Sequence, residues 1–164
     1  MAKLINPSDL FYRQFEPKLQ NRFIFYVNGI PSYILKKASR PKENTAVVDI
    51  DHINLRRFSK GKSVWQPISV EFYDPIIPSG AQAVMNWFRR SHESTTGRDG
   101  YATFYMQDVT IEVIGPPGDV IEEWILKNAW LGNAIDFQEL DWAQENALLN
   151  ISAEIVYNYA ILNF

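Results

Sequence analysis

Residues 148–161 read LLNISAEIVYNYAI and carry the clearest β pattern in the chain. Apolar and polar side chains alternate along this stretch with a period of two, which is the spacing of a β-strand with one buried face. The apolar face consists of Leu149, Ile151, Ala153, Ile155, Tyr157, Tyr159 and Ile161. The polar face consists of Asn150, Ser152, Glu154 and Asn158. This pattern predicts a long strand with its apolar face in a core and its polar face toward water.

The same alternation occurs from Val64 to Asp74, where Pro67 interrupts it and predicts a bulge or sheet edge. Other segments rich in β-branched and aromatic residues are Arg22–Asn28, Thr45–Arg56, Tyr101–Ile114 and Val120–Trp130. The dipeptide Asn28-Gly29 favours a tight turn, which would pair the first of these segments with Tyr33–Lys37 as a hairpin. The chain is therefore predicted to be mainly β.

One amphipathic helix is predicted at residues 79–92. Ser79 followed three residues later by Gln82 is a capping-box pattern, and Val84, Trp87 and Phe88 fall on one stripe. A single helix beside several long strands indicates a β-barrel or β-sandwich with the helix packed on its outside.

Composition indicates one folded domain spanning residues 1–164. The hydrophobic fraction is 46%, which is too high for a disordered chain, and a chain of 164 residues suits a single core. The sequence holds no apolar run of 18 residues, and its first ten residues lack the apolar run of a secretory signal. We therefore expect synthesis in a cytoplasm and no stable membrane association.

Charge and cysteine content exclude several classes of function. Cysteine is absent, which excludes disulfides, thiol nucleophiles and thiolate zinc sites. The formal net charge is −3, whereas proteins that grip nucleic acid carry a clustered excess of Lys and Arg. Stable DNA binding is not expected, but passage of DNA along a wall that does not hold it is compatible with this charge.

No catalytic or metal site is predicted, and no cofactor is expected. Asp49 and Asp51 share a face of their strand with His52 on the other, and the pair lacks a third ligand nearby. His92 follows the helix, where a cation interacts favourably with the helix C-terminus. Two prolines between Gly115 and Gly118 remove the backbone N–H groups that a phosphate site needs. The chain is therefore not predicted to be an enzyme.

A basic run lies before the strand that starts near Trp65. Its residues are Arg56, Arg57, Phe58, Lys60 and Lys62. Three interpretations stay open. The run is a solvated turn, a nucleic-acid contact with aromatic stacking, or a contact to an acidic surface on a neighbouring subunit.

Taken in order, several motifs resemble the tube protein family of contractile, myovirus-type phage tails. They are Pro17-Lys18-Leu19-Gln20-Asn21-Arg22-Phe23, Ile53-Asn54-Leu55-Arg56-Arg57-Phe58, Gly61 and the strand Trp65 to Tyr73, the helix with Trp87 and Phe88, Lys127, Trp130, Leu140-Asp141-Trp142, Asn146 and Tyr157-Asn158-Tyr159. Each motif alone is weak, and their order from residue 17 almost to the end carries the resemblance.

The resemblance implies a homohexameric ring whose subunits lend strands to one continuous inner β-barrel, with rings stacked helically into a tail tube. It implies an N-terminal arm at residues 1–20 and an extended hairpin loop at residues 45–63 that contacts the next ring. The implied location is the virion tail. The implied partners are the sheath protein, the tape measure protein, baseplate tube proteins and transiently passing DNA.

Site residues follow from this resemblance together with the strand patterns. The basic run, Arg56, Arg57, Phe58, Lys60 and Lys62, is expected at contacts between subunits or rings. Ser69, Glu71, Asn150, Ser152, Glu154 and Asn158 are expected to face the lumen, where few cations should lie because each phosphate contact would slow passing DNA. The expected core aromatics are Phe23, Phe25, Trp87, Phe88, Trp130, Trp142 and Tyr157.

Alternative functions remain open from the sequence alone. A baseplate tube initiator, a tail terminator, or the inner tube of a phage-derived bacteriocin or injection system would share these features. A monomeric ligand-binding β-barrel would also show alternating strands, aromatics and one outer helix. A hydrolase lacks a nucleophile, base and orienting acid that can be named together.

Overall fold

The computed structural model describes residues 16–164, so most of the predicted N-terminal arm lies outside the described residues. The strands are β1 (Phe23–Tyr26), β2 (Leu35–Ala38), β3 (Lys42–His52), β4 (Leu55–Gln66), β5 (Ile68–Tyr73), β6 (His92–Glu93), β7 (Arg98–Asp99), β8 (Gln107–Ile114), β9 (Val120–Phe137), β10 (Asn150–Val156) and β11 (Tyr159–Asn163). The helices are α1 (Gly80–Ser91) and the single turn α2 (Ala102–Tyr105), and a 3-10 turn covers Ser32–Ile34.

The body of the protein is an antiparallel sheet in the order β1-β8-β9-β10-β5-β2, with β11 also paired to β9. Within the described chain, β1 pairs only with β8 and β2 pairs only with β5, so the sheet ends on both sides. The prediction of a mainly β fold with one outer helix is confirmed. The sheet stays open and does not close into a barrel within one chain.

Strand β9 is long enough to join two parts of this sheet. Its first half pairs with β8 and β11, and its second half pairs with β10. A register shift opposite Ala153 and Glu154, beside Asn133 with φ of 58°, lets the strand bend between the two parts. One backbone therefore runs through both halves of the body, and it extends to Phe137 rather than ending near Trp130 as predicted.

The core combines side chains from the strands of this sheet with Val84 and Trp87 of α1. Phe25 from β1 and Phe72 from β5 meet edge to face, with ring centroids 6.3 Å apart. The largest fully buried side chains are Phe25, Phe72, Ile34, Ile68, Leu126, Ile151, Ile155, Val70, Val84 and Val109. Five of them alternate along β5 and β10, and this explains why the two strands hold their register, because a one-residue slip would turn these five side chains away from the core.

The predicted core aromatics differ in burial. Phe25, Trp87 and Tyr157 are buried, and Phe23, Phe88 and Trp130 are half-buried. The assignment of Trp142 to the core is wrong, because its side chain is fully exposed. Trp142 lies between β9 and β10, where residues 138–149 leave the sheet and no strand or helix packs over them.

Three predictions about the strands are also corrected. The Asn28-Gly29 turn forms, with a bridge between Val27 and Ile30, but its flanking strands separate toward β8 and β5 instead of forming a hairpin. The predicted last strand divides at Tyr157–Asn158 into β10 and β11. The segment predicted as a strand from Tyr101 becomes one only at Gln107.

Helix α1 begins as its capping pattern predicts. The backbone N–H of Gln82 donates to the Ser79 hydroxyl oxygen at 3.3 Å. Val84 and Trp87 are buried, and the Trp87 indole N–H donates to the Tyr105 carbonyl at 2.9 Å. This contact ties α1 to α2 and fixes the helix against the sheet.

Candidate assembly surfaces

The hairpin of β3 and β4 stands apart from the body. The two strands pair with each other and with no other strand in residues 16–164. Twelve residues of β4 correspond to a length of about 40 Å. Every residue of β3 is exposed, and β4 is exposed as far as Lys60. The hairpin overlaps the predicted 45–63 loop.

Apolar side chains occupy both faces of this hairpin. Directly paired residues share a face, so Asp49 with Phe58 and Val47 with Lys60 define one face, and Ile50 with Arg57 defines the other. The exposed apolar residues of the hairpin are Val47, Val48, Ile50, Ile53, Leu55, Phe58 and Val64. A monomeric protein rarely exposes a contiguous apolar surface of this kind, which indicates a binding surface for another chain.

The basic run divides between the two faces. The Arg56 guanidinium is 2.8 Å from Asp51 and 3.6 Å from Asp49, so those carboxylates neutralise it. Lys60 lies on the face of Arg56, Arg57 lies on the opposite face, and Lys62 lies in the bulge opposite Ala46. A single stripe of charge for a phosphate backbone is therefore not formed by these five residues.

No metal centre forms from the carboxylates and histidines of the described part of the chain. Asp49 and Asp51 share a face as predicted but contact Arg56, and His52 lies on the other face. His92 Nδ1 lies 2.8 Å from an Asp99 carboxylate oxygen across the short β6–β7 pair. In the residues that the structure describes, no helix is long and apolar enough to cross a membrane.

Two contacts hold the base of the hairpin to the body. Trp65 of β4 packs on Tyr157, with ring centroids 6.0 Å apart. On the segment that leads into β3, Arg40 reaches the buried carboxylate of Glu122 at 3.4 Å. Lys18, near the start of the described chain, contacts the same carboxylate. Glu122 thus holds both the end of the predicted arm and the residues before the hairpin.

Glu122 was missed by the sequence reasoning, although it falls on the same strand face as buried Leu126. Burial raises the pKa of this carboxyl, but hydrogen bonds from Lys18 and the Trp124 indole and the charge of Arg40 outweigh it, so the pKa lies below its ordinary value. The carboxylate is therefore ionised at neutral pH and paired in the fold.

Four of the predicted lumen residues form one polar patch. Ser69 pairs with Glu154 and Glu71 pairs with Ser152 across β5 and β10, on the face away from the core. Lys36 is 2.8 Å from Glu71, and Lys37 pairs with Glu71 across β2 and β5, so two cations border the patch. Asn150 and Asn158 lie beyond its two ends, opposite Tyr73 and at the break between β10 and β11.

A groove of about 1000 Å³ marks the place where the sheet fails to close. It lies between β1 and β2, with Phe25, Leu35 and Ile111 among its lining residues and Arg22 and Lys37 at its sides. The backbone groups along the free sides of β1 and β2 have no strand partner in the described chain. Unpaired strand edges of this kind are templates for pairing with another chain.

Comparison with solved structures shows which proteins share this fold. A chain of the sheath/tube terminator of the extracellular contractile injection system PVC matches with a TM-score of 0.73 and 16% identity, over 92% of this chain and 99% of that chain. A chain of the tube terminating cap of the anti-feeding prophage matches with a TM-score of 0.72 and 16% identity, over 93% and 95%. The fold is that of contractile injection system components.

A further match is to a chain of the PVC sheath-tube complex in its extended state. It has a TM-score of 0.66 and 16% identity and covers 98% of this chain and 99% of that chain. The shared fold thus extends over nearly the full length of both chains. No protein-family model matches the sequence, and no curated protein matches it.

Proposed function

We propose that this chain is a structural subunit of the tube of a contractile tail or injection system, and that its copies form rings that stack into a hollow conduit. The observation that carries the proposal is the hairpin of β3 and β4, which exposes apolar side chains on both faces and finds no cover within the described chain. Burial of such a surface against other copies contributes about 25 cal/mol per Å². The match to injection system components over nearly the whole chain supports this role.

Ring formation follows from the open sheet. The unpaired backbone groups on the free sides of β1 and β2 would hydrogen-bond to strands of neighbouring copies. The sheet that stays open in one subunit would then become continuous around a ring. Six copies are expected from the resemblance to tail tubes. The patch of Ser69, Glu71, Ser152 and Glu154 is proposed to line the conduit, because polar uncharged and acidic groups do not hold a passing polyanion.

The finer roles belong to the same proposal. We expect a sheath around the tube, a tape measure protein inside it during assembly, and DNA in transit if the particle is a phage tail rather than an injection system. An enzymatic role is not proposed, because the matched structures are components of a tube terminator, a tube terminating cap and a sheath-tube complex.

Purified protein examined by gel filtration and negative-stain electron microscopy tests the proposal. Rings with six-fold symmetry, and tubes at high protein concentration, are the expected result. A monomer that persists at high concentration would overturn the proposal. A cryo-EM map would test the lumen assignment, which fails if Ser69 and Glu154 point away from the channel.

A terminating cap is the second candidate function. The terminator and cap chains match this chain at TM-scores of 0.73 and 0.72, slightly above the 0.66 of the sheath-tube complex chain. A cap stops at one ring, whereas a tube subunit continues to add rings. Purified protein that forms single rings at every concentration would favour the cap, and long filaments would favour the tube subunit.

A further inference from the structure

The hairpin and a pair of loops lie at opposite ends of the sheet. Strand β5 starts directly after β4 and ends at Tyr73, about 20 Å away for six residues. Tyr73 pairs with Asn150, and the Asp74 backbone N–H donates to the Leu149 carbonyl at 3.0 Å. These contacts bring residues 74–79 and 138–149 together at one end, which we name the loop end.

The loop end exposes a large apolar surface. Ile76, Ile77, Leu140, Trp142 and Leu148 are all exposed there. Trp142 is the most informative, because a fully exposed tryptophan indole leaves a large apolar area in water. Tryptophans of this kind are enriched at the centres of protein interfaces. The loop end therefore has the character of a binding surface rather than of a solvated loop.

The charges of the loop end are of one sign. Residues 138–149 contain Glu139, Asp141 and Glu145, all exposed, and neither 138–149 nor 74–79 contains a lysine or arginine. The described structure places no cation in an ion pair with these three carboxylates. Asp141 accepts a hydrogen bond from the Ala143 backbone N–H at 2.9 Å, which shapes the loop around Trp142.

The returning half of the hairpin is basic. Residues 53–64 contain Arg56, Arg57, Lys60 and Lys62 and no acidic residue, and the facing Asp49 and Asp51 of β3 contact Arg56. Only Arg56 among these four is held in an ion pair within residues 16–164. Three cations thus accompany the exposed apolar side chains of Ile53, Leu55 and Phe58.

We infer that the hairpin of one copy binds the loop end of a second copy. The two surfaces are complementary in two respects. Both expose apolar side chains, which form the centres of interfaces, and the charges beside these side chains have opposite signs. The inference rests on the proposed function and deepens it, because it names the surface that receives the hairpin. Trp142 would be the central apolar contact. Because Arg57 and Lys60 lie on opposite faces of the hairpin, Glu139 and Glu145 would meet it from its two sides.

The positions of the two surfaces on the subunit determine how copies assemble. A contact between unlike surfaces is head-to-tail, so each bound copy leaves a free hairpin at one end and a free loop end at the other. Because the two ends are separated by the length of the sheet, copies follow one another along the strand direction of β5. Such a contact builds a stack of rings and does not terminate in a dimer.

Reversal of charge on each surface tests the inference. One variant carries Arg57→Glu and Lys60→Glu, and the other carries Glu139→Lys and Glu145→Lys, which leaves the Asp141 turn intact. Each variant alone brings like charges together, so we expect single rings and at least about tenfold less protein in sedimented stacks than for the unaltered protein. An equimolar mixture should stack again, because each altered hairpin then meets an altered loop end of opposite charge.

The control carries Glu112→Lys and Glu123→Lys, the same charge change on the paired strands β8 and β9, and should stack as the unaltered protein does. Stacks of normal yield from the Glu139→Lys/Glu145→Lys variant, or a mixture that stays as single rings, would overturn the inference. Loss of rings in either variant would overturn it as well, because the surface then acts within a ring. Absence of rings from the unaltered protein would instead overturn the proposed function.

Discussion

Two antiparallel strand pairs of this protein differ in burial: one pair has a fully buried face, and the other is exposed on both faces. Strands β5 and β10 alternate apolar and polar residues over most of their length, and one face of the pair is fully buried. Strands β3 and β4 are longer, place apolar residues on both faces, and bury neither. A period-two pattern with one apolar face describes a strand whose core belongs to its own chain. Apolar residues on both faces of an isolated hairpin indicate that the covering surface comes from another chain.

The largest effect is expected for Phe72→Ala in the buried pair. Phe72 is fully buried against Phe25, and its removal leaves a cavity in the middle of the body. We expect the free energy of unfolding of the isolated subunit to fall by about 3–5 kcal/mol. Urea denaturation measures it. A loss below about 1 kcal/mol would show that this pair does not form the core.

A smaller loss is expected for Gly132→Ala on β9. A Cβ at this position would lie 2.5 Å from the Val156 Cγ2 atom and 3.3 Å from the Trp130 ring. We expect overpacking to cost about 1–3 kcal/mol in thermal or urea unfolding. Val156→Ala removes the clashing methyl, so the double variant should lose less than the sum of the two single variants. Strict additivity would contradict this packing.

Glu122→Gln tests the ionic contact that links the body to the base of the hairpin. The pKa of Glu122 is lowered in the fold from its ordinary value of 4.5, so the carboxylate contributes stability above about pH 4.5 and loses it as the pH falls through the lower folded value. Because Lys18 and Arg40 are largely exposed, we expect a loss of about 1–2 kcal/mol at pH 7.

The difference between the unaltered protein and Glu122→Gln should shrink toward zero as the pH is lowered from 7 to 3. The neighbouring Glu123→Gln is the matched control, because Glu123 contacts only the Asn163 amide among described side chains and should change stability little. A difference that stays constant with pH would show that the charge of Glu122 is not the cause.

The smallest effect on the isolated subunit is expected for Phe58→Ala in the hairpin. Phe58 is 69% exposed and packs on no core residue, so the free energy of unfolding should change by less than about 0.5 kcal/mol. Assembly should respond strongly, with the concentration needed for stacking rising about tenfold or more. The same substitution at Phe72 is the counterpart in the buried pair. Normal stacking by Phe58→Ala would remove this residue from the interface.

The body of the fold was largely predictable from sequence because its signals are local. The burial of Ile68, Val70 and Phe72 follows from alternation alone, and the Ser79 cap predicted the start of α1 within one residue. Strand partners were less predictable. The Asn28-Gly29 turn forms locally, but β1 pairs with β8 and β2 pairs with β5 instead of with each other. Such long-range choices depend on the whole core and leave no short motif.

The candidate surfaces were predicted unevenly for the same reason. The basic run was recognised, but its division between two faces depends on the hairpin register and on the bulge near Lys62. Trp142 was assigned to the core on the resemblance that its motif carries, and nothing local shows that its loop leaves the sheet. Glu122 was not predicted from the sequence, because its partners Lys18 and Arg40 are distant in sequence.

The continuity of β9 also determines how the molecule unfolds. Since one backbone hydrogen-bonds to β8, β10 and β11, neither half of the body can melt while the other stays intact. The body should behave as a single cooperative unit, whereas the hairpin can fray by itself. Amide hydrogen exchange in the isolated subunit would then divide into two populations, with slow exchange along β9 and fast exchange in β3 and β4.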